Sequence, residues 1–161
     1  MATKPLIPTG KIEALTRSLV LEKFSYGLGF KIVPLSQQAP DVIGRNAAGI
    51  PDKKVDCSGF VRWCLFHAAG VEIPDGSVTQ HEWCQSQGYA QGTVADGHKT
   101  DGIVRLAFLT PDASGEGIGH VMIVLNGQTF ESHGGKGPDS RAWGSQAFMP
   151  KCLLYEYAVT S

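Results

Sequence analysis

The sequence predicts an α+β fold, with helices first and an antiparallel sheet after, and three observations carry that reading. Two segments with apolar residues at helical spacing lie ahead of residue 70, and four apolar segments of strand length lie after residue 100. Two of those strand segments meet at Asn126-Gly127, the pattern of a two-residue type I′ hairpin turn. Helices followed by strands is the order of an α+β domain, not of alternating βαβ units.

Taken in order, Ile12, Leu15, Leu19 and Val20 predict a helix over about 12–24, with Thr9 or Gly10 at its start. A second helix is expected over 57–69. Phe60, Val61, Cys64, Leu65 and Ala68 make its apolar stripe, Asp56 can cap its first turn, and Gly70 ends it. A short helix follows over about 78–87, then strands near 102–109, 119–125, 128–133 and 152–159. Glycine and proline cluster over 35–54, 85–101 and 110–119, which reads as long loops on a scaffold. The segment Gly134–Arg141 lacks the Gly-Lys-Ser/Thr spacing of a phosphate loop and reads as a flexible rim.

A chain of 161 residues, 42% of them hydrophobic, can bury one good core. One domain over 1–161 is expected, with an N-terminal helical segment at 1–35 and a core at 36–161. Its 14 basic and 15 acidic residues give a net charge of −1, which argues against a nucleic-acid groove or a polybasic membrane patch; a monomer is expected. The N-terminus has a lysine but no apolar run after it, so no secretory signal peptide is expected, and no stretch is long enough to span a bilayer.

Asp56-Cys57-Ser58-Gly59-Phe60-Val61 is the most informative stretch. It places a thiol where a loop enters a helix, and the unpaired N–H groups and positive dipole of a helix start favour a thiolate. A lone cysteine is more often a small buried hydrophobe, so a partner base is required. If Leu125 pairs with Gln128 across the hairpin, His120 falls opposite His133, and two imidazoles on one face can accept a thiol proton and orient the acceptor. Asp56 reads first as a helix cap. Ser58 lies among the N–H groups that would steady an oxyanion. Glu131 shares the face of His133 and could tune the histidine pair, but reads first as an exposed strand residue.

These residues resemble the NlpC/P60 cysteine peptidases of bacterial peptidoglycan. The resemblance rests on the Asp-Cys-Ser-Gly-Phe-Val motif at 56–61, the Gly-His-Val strand at 119–121 and the third polar residue one hairpin later at His133. It implies a papain-like fold in which the nucleophile helix packs on a central antiparallel sheet. It also implies Cys57 as nucleophile, His120 as base, His133 as the orienting residue, and no cofactor or metal. The implied substrate is the peptidoglycan stem peptide, cut at the γ-D-glutamyl to diaminopimelate amide. Family members often carry a tyrosine about a dozen residues before the cysteine, and no aromatic residue occupies that neighbourhood here. The chain is also similar to lone-domain amidase effectors of the type VI secretion system. That likeness implies synthesis in the cytoplasm, action in the periplasm or wall of a target cell, and an immunity protein or secretion-machine component as partner.

Cys64 lies two turns after Cys57 on the same helical face and reads as packing. Cys84 and Cys152 are either a disulfide or reduced core thiols. Trp63, Trp83 and Trp143 either line a cleft or fill the core. Three other functions remain open: a thiol-dependent acyltransferase or deamidase, a zinc hydrolase using Cys57, His120 and His133, and a binding module on an inactive scaffold.

Overall fold

A computed structural model describes residues 3–161. The elements run β1 (Leu6–Ile7), α1 (Lys11–Leu21), β2 (Ser25–Tyr26), β3 (Lys31–Ile32), β4 (Gly44–Arg45), β5 (Pro51–Asp52) and β6 (Lys54–Val55). They continue with α2 (Cys57–Ala69), α3 (Ser77–Gln87), β7 (Ile103–Leu109), α4 (Pro111–Ser114), β8 (His120–Leu125), β9 (Gln128–His133), β10 (Gly137–Asp139) and β11 (Leu153–Thr160). The α+β class and the helix-on-sheet arrangement match the sequence reading. The main sheet has the order β1-β11-β7-β8-β9-β10, antiparallel except where β1 joins β11.

Alternation along the central strands sends side chains into two apolar layers. Leu106, Phe108, Val121, Ile123, Leu125 and Phe130 form one layer together with Phe60, Val61, Cys64 and Leu65 of α2. Ala107, Leu109, Met122, Val124 and Leu154 form the other, closed by Trp143 and Cys152. Each fully buried aliphatic or aromatic side chain contributes about 1.5–3 kcal/mol of transfer free energy. The second helix is buried through its first two turns except at Arg62: Trp63, off the anticipated stripe, is also buried and donates its indole N–H to the Gln37 carbonyl at 3.2 Å.

Local chemistry explains the ends of that helix. The Asp56 carboxylate accepts the Gly59 N–H at 2.8 Å, and Gly70 closes the helix at φ +69°. The first helix is shorter than its pattern implied, ending at Leu21, and Val20 is 45% exposed while Ile12 and Leu19 are fully buried. At the hairpin, Asn126 (φ +50°) and Gly127 (φ +78°) both take the left-handed conformation that a type I′ turn requires.

One part of the sequence reading is corrected, and two open alternatives are decided. Residues 137–139 are a strand paired with β9, not a loose rim: Gly137 lies opposite His133 and Asp139 opposite Glu131. Trp143 fills the core, with its N–H donated to the Val94 carbonyl at 2.9 Å, and Trp83 packs against Tyr89 and Tyr157. All four cysteines are free and buried, and Cys84 and Cys152 belong to different apolar layers.

Candidate active site

Cys57 is the first residue of α2 and is 6% exposed. The turn around it is braced from one side by Lys31. Its ammonium lies 2.7 Å from Asp56 Oδ2, 2.7 Å from Ser58 Oγ and 3.0 Å from Asp75 Oδ1. The Gly29 N–H also donates to Asp56. Asp56 therefore acts as the cap that its sequence position suggested and also as an anchor for the segment running into β3. The Ser58 side chain is buried and committed to this network, so only its backbone remains for any role toward a substrate.

His120 opens β8 and lies opposite Leu109 of β7. Its ring packs edge-on against Phe148, with centroids 5.8 Å apart. Burial opposes a charge on this imidazole. Hydrogen bonding and charge from Cys57 and from Glu131 outweigh it and raise the pKa from 6.5 to about 9. Nε2 donates to Glu131 Oε1 at 2.9 Å, which leaves Nδ1 as the nitrogen available to the thiol.

The partner of His120 is thus Glu131, and the sequence reading is corrected at this point. The hairpin register is as anticipated, with Leu125 opposite Gln128, Val124 opposite Thr129 and Ile123 opposite Phe130. The paired register of β8 and β9 ends at Ile123 and Phe130, and on its other edge the end of β9 pairs with β10. His133 Nε2 donates to Asp139 Oδ2 at 2.9 Å instead. Glu131, two residues earlier on the same face, is fully buried rather than exposed. It accepts from His120, from Thr129 Oγ1 and from Arg141, whose Nη2 lies 2.8 Å from Oε1 and whose Nε lies 3.3 Å from Oε2. Burial alone would raise its pKa, yet these donors hold it down at about 2. The buried carboxylate stays ionised because two cations and a hydroxyl satisfy it. No spacing rule separates Glu131 from a surface strand residue; the only available clue was its place diagonal to His120 on the shared face.

A cleft of about 580 Å³ opens at His120, His133 and Arg141. Tyr26 and Leu28 form one wall, Ile118 and Phe148 another, and His120, His133, Arg141 and Lys151 contribute to the lining. Tyr26 belongs to β2 and lies opposite Val55, two residues before the cysteine. Its hydroxyl pKa is raised to about 12 by burial and by the charges of Cys57 and Asp56. The sheet topology thus brings an aromatic residue to the nucleophile from outside the sequence window where one was expected. Among the described residues no three His, Cys, Asp or Glu side chains are arranged to hold a metal ion, and no helix is long and apolar enough to cross a membrane.

The fold thus brings together a thiol at a helix start, a strand-borne imidazole and a buried carboxylate that holds the imidazole, a set able to activate a nucleophile. The chain belongs to the NlpC/P60 family, whose model matches residues 44–149, about two thirds of its length. Two solved structures are similar. One is described as similar to a lipoprotein of the NLP/P60 family from Staphylococcus aureus subsp. aureus Mu50, at 16% identity and a TM-score of 0.50, covering 98% of this chain and 45% of that one. The other is the P60 domain of an antigen from M. avium paratuberculosis, at 16% identity and a TM-score of 0.50, covering 92% of this chain and 96% of that one. These likenesses show the fold. The chain spans less than half the length of the staphylococcal protein. No curated protein matches the sequence.

Proposed function

We propose that the protein is a cysteine amidase or endopeptidase acting on the stem peptide of peptidoglycan, with 1–161 working as one catalytic unit. The observation that carries this reading is the line from Cys57 through His120 to Glu131, set in a chain of the NlpC/P60 family. Cys57 is the nucleophile and His120 the general base and then acid. Glu131, in place of His133, fixes the tautomer and orientation of His120.

The Cys57 thiolate attacks the amide carbonyl. Asp56 takes the Gly59 N–H with its side chain and the Phe60 N–H with its carbonyl, which leaves the first-turn N–H groups of Cys57 and Ser58 to receive the oxyanion. The His120 imidazolium protonates the departing amine, and a water deprotonated by the same ring releases the acyl group. The bond assigned is the γ-D-glutamyl to diaminopimelate amide. The finer reading is an antibacterial effector or lysin that works in the periplasm or wall of a target cell and is answered there by an immunity protein.

A synthetic L-Ala-γ-D-Glu-diaminopimelate peptide tests the bond. The expected products are L-Ala-D-Glu and free diaminopimelate, formed by the wild type and not by Cys57→Ala. An intact peptide after prolonged incubation, with Cys57 still readily alkylated, would instead favour the acyltransferase or deamidase reading.

A further inference from the structure

The cleft carries more cationic donors than the proposed chemistry uses. Arg141 is set rigidly: its N–H donates to Thr129 Oγ1 at 3.1 Å, and its carbonyl accepts the Thr129 N–H at 2.7 Å. Its guanidinium spends Nη2 and Nε on Glu131, and among the described residues Nη1 has no partner. The side chain is 30% exposed and lines the cleft. Lys151, at the end of a short turn at Met149–Lys151, lines the same cleft, and its ammonium forms no ion pair among the described residues. Glu116 is the only carboxylate among the lining residues, and the imidazole of His133 is already matched by Asp139.

We propose that the free edge of Arg141, together with Lys151, reads a carboxylate on the substrate beside the amide that Cys57 attacks. A guanidinium that lines the cleft with one edge unpaired presents a planar fork that suits a carboxylate, and the exposed Lys151 ammonium adds a mobile second charge. Because the same guanidinium clamps Glu131, the bound carboxylate sits one residue removed from the group that holds His120. The substrate class is therefore a peptide amide with an ionised carboxyl on the carbon skeleton of the acyl part or of the leaving amine. This deepens the amidase reading and rests on it for the identity of the amide, but not for the presence of the anion site.

The anion site is tested without any wall substrate by comparing iodoacetate with iodoacetamide as alkylating agents of Cys57. Both reagents depend on the same thiolate, so their rate ratio cancels changes in its reactivity and reports on the charge of the cleft. Lys151→Met is expected to lower the iodoacetate to iodoacetamide ratio roughly threefold or more, and Lys151→Glu to lower it further. Arg141→Gln is expected to lower the ratio as well, whatever it does to the separate rates. A ratio unchanged in all three variants would overturn the proposal even if wall peptides are cleaved.

For the substrate itself, a γ-D-glutamyl peptide with a free α-carboxylate is compared with its α-carboxamide. A preference for the carboxylate in kcat/KM that shrinks in Lys151→Met supports the assignment. Equal cleavage of the two by the wild type contradicts it. Failure to cleave either, with the reagent ratio behaving as expected, would refute the amidase reading and leave the anion site standing.

Discussion

Glu131 Oε1 lies 2.9 Å from Nε2 of His120; the carboxylate is fully buried, and the imidazole is half-buried at the edge of the cleft. Each is kept ionised by the other and by one further partner, Cys57 for the imidazole and Arg141 for the carboxylate. That arrangement leads to several expectations.

Glu131→Ala should lower the rate of amide cleavage by roughly 10²-fold or more, the scale of a disabled general acid–base group. His133→Ala should cost far less, because His133 is bonded to Asp139 and not to His120. Steady-state kinetics on a stem-peptide substrate distinguishes the two. An equal loss in both variants would return His133 to the site.

The pKa of His120 is raised from 6.5 to about 9, so the imidazolium and the stability it contributes are fully present below 6.5 and are lost as the pH rises through about 9. Activity should fall on the alkaline side with a midpoint near 9. Glu131→Gln removes the negative charge while keeping an acceptor, and should move that midpoint to lower pH. Glu131 has the opposite sign: its pKa is depressed from 4.5 to about 2, so its contribution is present above 4.5 and is lost as the pH falls through about 2. A pH–rate profile of each protein checks both directions.

Asp56→Ala should destabilise the fold by about 1–2 kcal/mol through loss of the cap alone, and by more once Lys31 is left short of a partner. Asp56→Asn keeps a good capping group and should recover much of the loss. Urea unfolding of the two variants provides the comparison.

Gly119→Ala should impair catalysis more than it impairs folding. A Cβ there would stand 2.8 Å from Ser77 Oγ, which can rotate away, and 3.0 Å from the Leu109 carbonyl, which is opposite His120 on β7 and can relax only by a few tenths of an ångström of backbone movement beside His120. Activity reduced severalfold with little change in melting temperature is the expected pattern.

Much of this molecule was legible in the sequence because its signals are local. The capped helix at 57–69 falls on its expected boundaries, since Asp56, the apolar stripe and Gly70 each act within a turn of their position. The strand at 128–133 and its turn follow from Asn126-Gly127 in the same way. What escaped was set by tertiary pairing. Three residues of a polar, glycine-rich segment, Gly137–Asp139, add a strand that holds His133, and nothing in their composition signals it. Glu131 looks like a solvent-facing residue until Arg141, ten residues on, folds back over it. Tyr26 reaches the cleft only because a two-residue strand pairs with Lys54–Val55.

The most direct test of the account is a digest of purified Gram-negative sacculi with the wild type and with Cys57→Ala, followed by mass analysis of the soluble fragments. The account predicts new fragments from the wild type only, ending at D-glutamate and at a free diaminopimelate amine. Fragments released equally by Cys57→Ala, or none from a wild type whose Cys57 is rapidly alkylated by iodoacetamide near neutral pH, would contradict it.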